Sequence, residues 1–220
     1  MTPHSDHDGK EKKDAGSTPL RDKYGLFTRP MPKPAEPEPA SLADIHFLTE
    51  YHPLRDGKNP DFDHESARLL RFKAGNFGLA LHYMRLVMEA EEALLSSGNA
   101  AVCVVPPHRV GTCTRDGIGL VAKELCKERP DVANGRRCLY RHTEIKKLSG
   151  GGERSLQIHL DSIRASYPYF FRGRDVLLLD DIATTGFSLC ACRLLLLRAG
   201  AASVRMFALA KTTDADHPPA

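Results

Sequence analysis

The side chains best suited to chemistry stand together in Val176 to Ser188, which reads VLLLDDIATTGFS. Asp180 and Asp181 are adjacent carboxylates that close an aliphatic run. Side by side at a strand end they repel each other and lose water, so they require vicinal hydroxyls, a metal or a basic side chain as partner. Thr184, Thr185 and Ser188 surround Gly186, which lets the backbone approach an anion closely. The helical run that follows adds N-terminal amides that favour phosphate. One short segment therefore offers acceptors for a diol and donors for an anion, the two halves of a sugar phosphate. A turn with an ordinary helix cap would need one such hydroxyl, not this ordered set. Neither GxGxxG nor GxxxxGK followed by Ser or Thr occurs, which sets dinucleotide and P-loop sites aside.

The elements that must hold this segment follow an α/β pattern, because short, continuously apolar runs alternate with amphipathic helices from Ala100 onward. The expected architecture is a central, mostly parallel sheet flanked by helices. Ala101 to Val105 reads as the first buried strand, ended by Pro106-Pro107. Ile118, Val121, Ala122 and Leu125 mark one face of a helix that follows Asp116. Cys138 to Tyr140 and Ile158 to Ile163 read as further strands, Val176 to Leu179 as the clearest one, and Val204 to Leu209 as the last. Between the last two, SLCACRLLLLRAG is a helix closed by Gly200. Upstream, Leu79, Tyr83, Leu86, Val87, Ala90 and Leu94 recur at helical spacing, with Gly98-Asn99 as a stop.

Other segments have a less specific signal. VVPPHR, Val104 to Arg109, ends the first core strand, and Arg109 with Arg115 are either ligands for anionic oxygens or surface arginines with solvated heads. Arg141 to Ser155, RHTEIKKLSGGGERS, sets three glycines beside Lys146, Lys147 and Arg154. It reads either as a basic lid over a phosphate-bearing ligand or as a plain surface loop. His108, His142 and His159 read as structural or exposed rather than catalytic.

Composition bounds the whole. The 220 residues suit one well-buried domain with an extension. Met1 to Ala40 carries seven of the fifteen prolines and the run GKEKKD, so it is expected to be a disordered tail. The remaining divisions are a helical accessory or cap segment over 41–98, the core over 99–213 and a flexible C-terminus over 214–220. With 31 basic against 28 acidic side chains, charge is mixed and a nucleic-acid partner is not supported. No apolar run approaches a membrane span and no leader-like h-region opens the chain, so a cytoplasmic location without membrane association is expected. The six cysteines lack CxxC pairs or zinc-site spacing and read as reduced thiols, Cys190 and Cys192 as small core hydrophobes.

Four aliphatics, DD, an aliphatic, TTG and a hydroxyl residue closely resemble the 5-phosphoribosyl-1-diphosphate (PRPP) signature of type I phosphoribosyltransferases; Ala183 departs from it by being smaller than the usual aliphatic. In order and spacing, LLRFKAGN, VVPPHR with TRDGIGLVAKEL, GGERSLQIHL and RMFALAKT extend the similarity over about Leu69 to Thr212, toward the ComF-like group associated with bacterial DNA uptake. The cysteines form no four-cysteine zinc module of the kind that group often carries. The resemblance implies a type I phosphoribosyltransferase-like fold in which Asp180 and Asp181 hold the ribose hydroxyls and support catalysis. Ala183, Thr184, Thr185, Gly186, Phe187 and Ser188 would cradle the 5-phosphate. His108, Arg109, Arg115, Lys146, Lys147 and Arg154 fall where the family binds pyrophosphate, and Mg²⁺ would be held through that pyrophosphate, with Asp180 and Asp181 as candidate ligands. The implied reaction is transfer of 5-phosphoribosyl from PRPP to a small nitrogen acceptor such as a nucleobase; a homodimer is compatible with it. The alternative functions are a PRPP- or nucleotide-sensing regulator without transfer, and a DNA-uptake accessory protein.

Overall fold

In the computed structural model, residues 20–21, 27–28, 42–111, 117–145 and 155–213 are described. The chain divides into two compact units, Met1–Ala35 and Glu36–Ala220. Within the first, β1 (Leu20–Arg21) pairs antiparallel with β2 (Phe27–Thr28), a short ladder inside the segment whose composition reads as a tail.

Within the second unit, Ile45–Tyr51 forms β3. Helix α1 (His64–Lys73) starts where the Asp63 carboxylate accepts from Ser66 N at 2.7 Å. It stops at Gly75, which takes the left-handed φ of 93°. One residue later the Asn76 side chain accepts from Leu79 N and starts α2 (Phe77–Ala90). A short α3 (Glu92–Leu95) leads to β4 (Ala100–Val104), buried along its whole length. Then follow α4 (Gly117–Glu128), β5 (Ala133–Asn134), β6 (Leu139–Arg141), α5 (Leu156–Ser162), β7 (Ile163–Ala165), β8 (Asp175–Ala183), α6 (Phe187–Arg198) and β9 (Ser203–Thr212).

Five strands make one parallel sheet in the order β3-β9-β8-β4-β5, and β6 pairs antiparallel with β7 in a separate ribbon. Side chains alternate across the sheet with the strand period of two. Val102, Val104, Leu177, Leu179, Phe207 and Leu209 pack with α1, α2 and α4 on one face. Ala101, Cys103, Val176, Leu178, Met206 and Ala208 pack with α6 and the β6–β7 ribbon on the other. Burial on both faces is why these strands read as unbroken apolar runs, and each fully buried Val or Leu contributes roughly 1.5–3 kcal/mol. Among the described residues no helix is long and apolar enough to cross a membrane.

Two elements differ from the sequence reading. The stretch expected as a strand, Ile158 to Ile163, is mostly helix α5, and only Ile163 opens a strand. Alternating Leu156, Ile158 and Leu160 imitate a strand period, but Ser155 accepts from Ile158 N at 3.4 Å and Gln157 donates to Asp161 at 2.7 Å, contacts that only a helical turn allows. The segment expected as a helical cap also contributes β3 as the edge strand of the sheet, parallel to β9. Paired on one side and partly exposed, β3 has a weaker apolar signal than the central strands.

Candidate functional site

Strand β8 outruns its neighbour β4, and that difference in length makes the site. The β4–β8 ladder ends at Val104 opposite Leu179, followed by one bond from Val105 N to Leu179 O at 2.9 Å. Pro106 and Pro107 then have no N–H to donate, so β4 stops. On its other side β8 continues against β9 as far as Ala183 opposite Lys211. Asp180 to Ile182 therefore border a cavity of about 420 Å³ instead of a strand. This is also where the sheet changes direction. From β4 the chain passes through α4 to β5 on one side, and from β8 through α6 to β9 on the other, with α4 and α6 on opposite faces. Open α/β sheets bind ligands in such a crevice.

The acid wall is built from neighbours in sequence. Asp181 N donates to Asp180 Oδ1 at 2.9 Å, and Ile182 N to Asp181 Oδ1 at 2.6 Å. Ser188 Oγ, on the first turn of α6, donates to Asp180 Oδ2 at 3.3 Å. Burial, and then the charge of Asp181, push the Asp180 carboxyl up to about 7. Asp181 is answered instead by Lys73, whose Nζ lies 3.0 Å from Asp181 Oδ2. Burial acts to lower the Lys73 pKa, but attraction to Asp181 and Asp180 outweighs it and the ammonium is held above its ordinary value. Lys73 reaches this point because α1 packs tightly on the start of α4, where a Cβ on Gly117 would meet the Phe72 ring at 2.8 Å and Phe72 O at 3.1 Å.

The opposite wall is assembled from distant segments. Arg141, at the end of β6, is 1% exposed. Its Nε donates to Pro107 O at 2.6 Å, one Nη to Ser162 Oγ and the other to His159 Nδ1 at 3.4 Å. One guanidinium thus ties the loop after β4 to α5. Burial lowers its pKa but leaves it a cation, and burial together with Arg141 pushes the His159 imidazole down to about 4. His159 and His108 both line the cavity.

The turn after β8 has the form an anion cradle needs. Gly186 sits at φ 68°, a left-handed position that favours glycine, and α6 starts there without a side-chain cap. Thr184 is exposed, with its Oγ1 2.9 Å from Thr212 Oγ1, while Thr185 is half-buried. Ala183 is buried in the core beneath the turn, and Phe187 is the first residue of α6.

Of the residues singled out for pyrophosphate, His108 lines the cavity, whereas Arg109 is exposed and outside its lining. Arg115, Lys146, Lys147 and Arg154 lie outside the described residues, as does most of the Gly-rich lid segment. Lys73 has no part in the sequence reading of the site, and Arg141 enters it only as the first residue of the Arg141 to Ser155 segment. Their own segments do carry a signal: a lysine at the last turn of an amphipathic helix, and an arginine closing a short apolar strand. His159, read as structural, belongs to the cavity wall. No group of three or more His, Cys, Asp or Glu able to hold a metal exists among the described residues. Comparison with protein-family models and with curated proteins finds no match for this chain.

Proposed function

We propose that the chain is a phosphoribosyltransferase of the type I kind, which binds PRPP in this crevice and transfers its 5-phosphoribosyl group to a small nitrogen acceptor, releasing pyrophosphate. The observation that carries this reading is the place of Asp180 and Asp181. They border the crevice at the change of sheet direction and run directly into the left-handed Gly186 turn and the start of α6. Adjacent carboxylates accept from a vicinal diol, and backbone N–H groups beside a helix N-terminus donate to an anion, so ribose and 5-phosphate are held in one continuous segment.

The chain's own groups suit a loose displacement at the anomeric carbon. The bond to the pyrophosphate oxygen breaks as the bond to the acceptor nitrogen forms, the electron pair leaves with pyrophosphate, and the nitrogen gives up its proton to the departing pyrophosphate or to water. Carboxylate charge at Asp180 and Asp181 stabilises the cationic character that develops between these events. With Lys73 on Asp181, the acid wall is partly neutralised, which limits the cost of holding two carboxylates together. Two carboxylates are too few to cage Mg²⁺ alone but fit an ion brought by phosphate oxygens, toward which either aspartate would serve as a protein ligand. When bound, that ion would neutralise charge on the departing pyrophosphate.

The test is thermal unfolding of wild type and Asp181→Asn with PRPP and Mg²⁺, followed by pyrophosphate release with a panel of nitrogen acceptors. PRPP should raise the wild-type midpoint, and the variant should lose most of that shift, because only a ligand bound to the folded state stabilises it. Equal shifts in both proteins would remove Asp181 from the ribose site.

A further inference from the structure

His159 has a hydrogen-bonding capacity that the described residues leave unused. The residue is 2% exposed and lines the cavity, and its buried Nε2 has no hydrogen-bond partner among the described residues. Arg141 determines which proton the ring keeps. A guanidinium has only donors, so at the 3.4 Å contact with Nδ1 the imidazole must accept, and the hydrogen of the neutral ring then sits on Nε2. Depression of the imidazole to about 4 keeps the ring neutral around pH 7. A buried N–H without an acceptor has lost its hydrogen bond to water, a loss made good when a ligand supplies an oxygen.

From this juxtaposition of Arg141, His159 and the crevice, we infer that His159 Nε2–H is a ligand-binding donor, aimed at an oxygen acceptor of the molecule held opposite Asp180. The inference rests on the phosphoribosyltransferase reading for the identity of that molecule. Two sources share the required chemistry: a phosphoryl oxygen of the diphosphate, and a carbonyl oxygen of a planar acceptor held against Val105, Ile118 and Ile145, which also line the cavity. Arg141 is a positioning residue. Its donors are directed to Pro107, Ser162 and His159, and through the last it selects the tautomer.

The experiment uses the full chain labelled with ¹⁵N at histidine, with long-range proton–nitrogen spectra recorded free, with inorganic pyrophosphate, with PRPP and Mg²⁺, and with uracil plus ribose 5-phosphate. The free protein should show His159 as the Nε2–H tautomer near neutral pH, and its Nε2 signal should move on saturation. Movement with pyrophosphate assigns the oxygen to the diphosphate; movement only with uracil assigns it to the acceptor. His159→Gln, whose amide can still donate, should keep the affinity for the responding probe within about threefold, and His159→Leu should lose about tenfold or more. An Nδ1–H tautomer in the free protein overturns the inference without needing any variant to fold. Wild type that binds PRPP while Nε2 stays unmoved with every probe overturns it and leaves the phosphoribosyltransferase reading standing. Wild type that binds neither PRPP nor pyrophosphate overturns both.

Discussion

The two walls of the crevice carry opposite charge and are built in opposite ways. On the acid wall, Asp180, Asp181, Ile182 and Ser188 are joined by hydrogen bonds between residues at most eight positions apart. On the basic wall, Arg141 draws together Pro107, His159 and Ser162, which lie 34, 18 and 21 positions away. The acid wall holds more negative charge than its own segment can answer and borrows Lys73 from α1. The basic wall uses its cation to hold segments in place and leaves one buried imidazole nitrogen, His159 Nε2, without a partner among the described residues. The difference teaches that paired carboxylates and an anion-favouring turn can reside in one stretch of backbone, whereas the shape of the cavity opposite depends on a single buried guanidinium.

The largest effect expected lies on the acid wall. In the 6-oxopurine branch of the family proposed for this chain, the residue two before the loop glycine is an aspartate thought to act as base toward the purine N7. Here it is Thr184, whose hydroxyl meets Thr212 and is far too weakly basic to take a proton near neutral pH. General base catalysis contributes roughly 10²- to 10⁴-fold, so kcat/KM for hypoxanthine and guanine should fall short of that for other nitrogen acceptors by about that factor. Ordinary turnover of hypoxanthine, with no gain from Thr184→Asp, would show that the acid wall does not meet the acceptor.

Next in size, Arg141→Ala should destabilise the protein by roughly 2–4 kcal/mol in urea unfolding, because Pro107 O, Ser162 Oγ and His159 Nδ1 lose a buried donor together. Ser162→Ala removes one of these contacts and should cost about 1 kcal/mol. Equal losses in the two variants would mean that the guanidinium does not hold the basic wall together.

The walls should also titrate against each other. The Asp180 carboxyl is raised from 3.8 to about 7, so the folded state binds its proton more tightly and stability falls as pH rises through that window. His159 is depressed from 6.5 to about 4, so the unfolded state binds its proton more tightly and stability rises over nearly the same range. Each slope is at most about 1.4 kcal/mol per pH unit, and in wild type they oppose. Asp180→Asn should therefore unmask a rise in stability between pH 4 and 6.5, and His159→Gln a fall between pH 4 and 7. Identical slopes in both variants would break the assignment of opposite titrations to the two walls.

The smallest effect tests how Lys73 is delivered. A methyl group at Gly117 must displace Phe72, both ring and backbone, and with it the end of α1. Gly117→Ala should cost roughly 1–3 kcal/mol in unfolding and weaken PRPP binding in parallel with Lys73→Met. Loss of stability with unchanged PRPP affinity would show that Lys73 is not needed at the acid wall.

The amino-acid sequence by itself determined the parallel α/β class, the central strands and the acid wall, since doubly buried strands read as apolar runs and the paired carboxylates and glycine turn are contiguous from Asp180 to Ser188. It also marked the end of β4 through Pro106-Pro107, which the backbone obeys. Only the tertiary structure decided that β8 runs four residues past the β4 ladder, from Leu179 to Ala183, because β9 supplies pairing that no local pattern announces. It alone turned Leu156 to Ser162 into a helix, through a serine cap and a Gln157–Asp161 contact that outweigh a strand-like alternation. It alone brought Lys73, Arg141 and His159 to the crevice. Their partners stand far along the chain, and a side chain's charge, tautomer and exposure depend on neighbours in space that spacing in sequence does not encode.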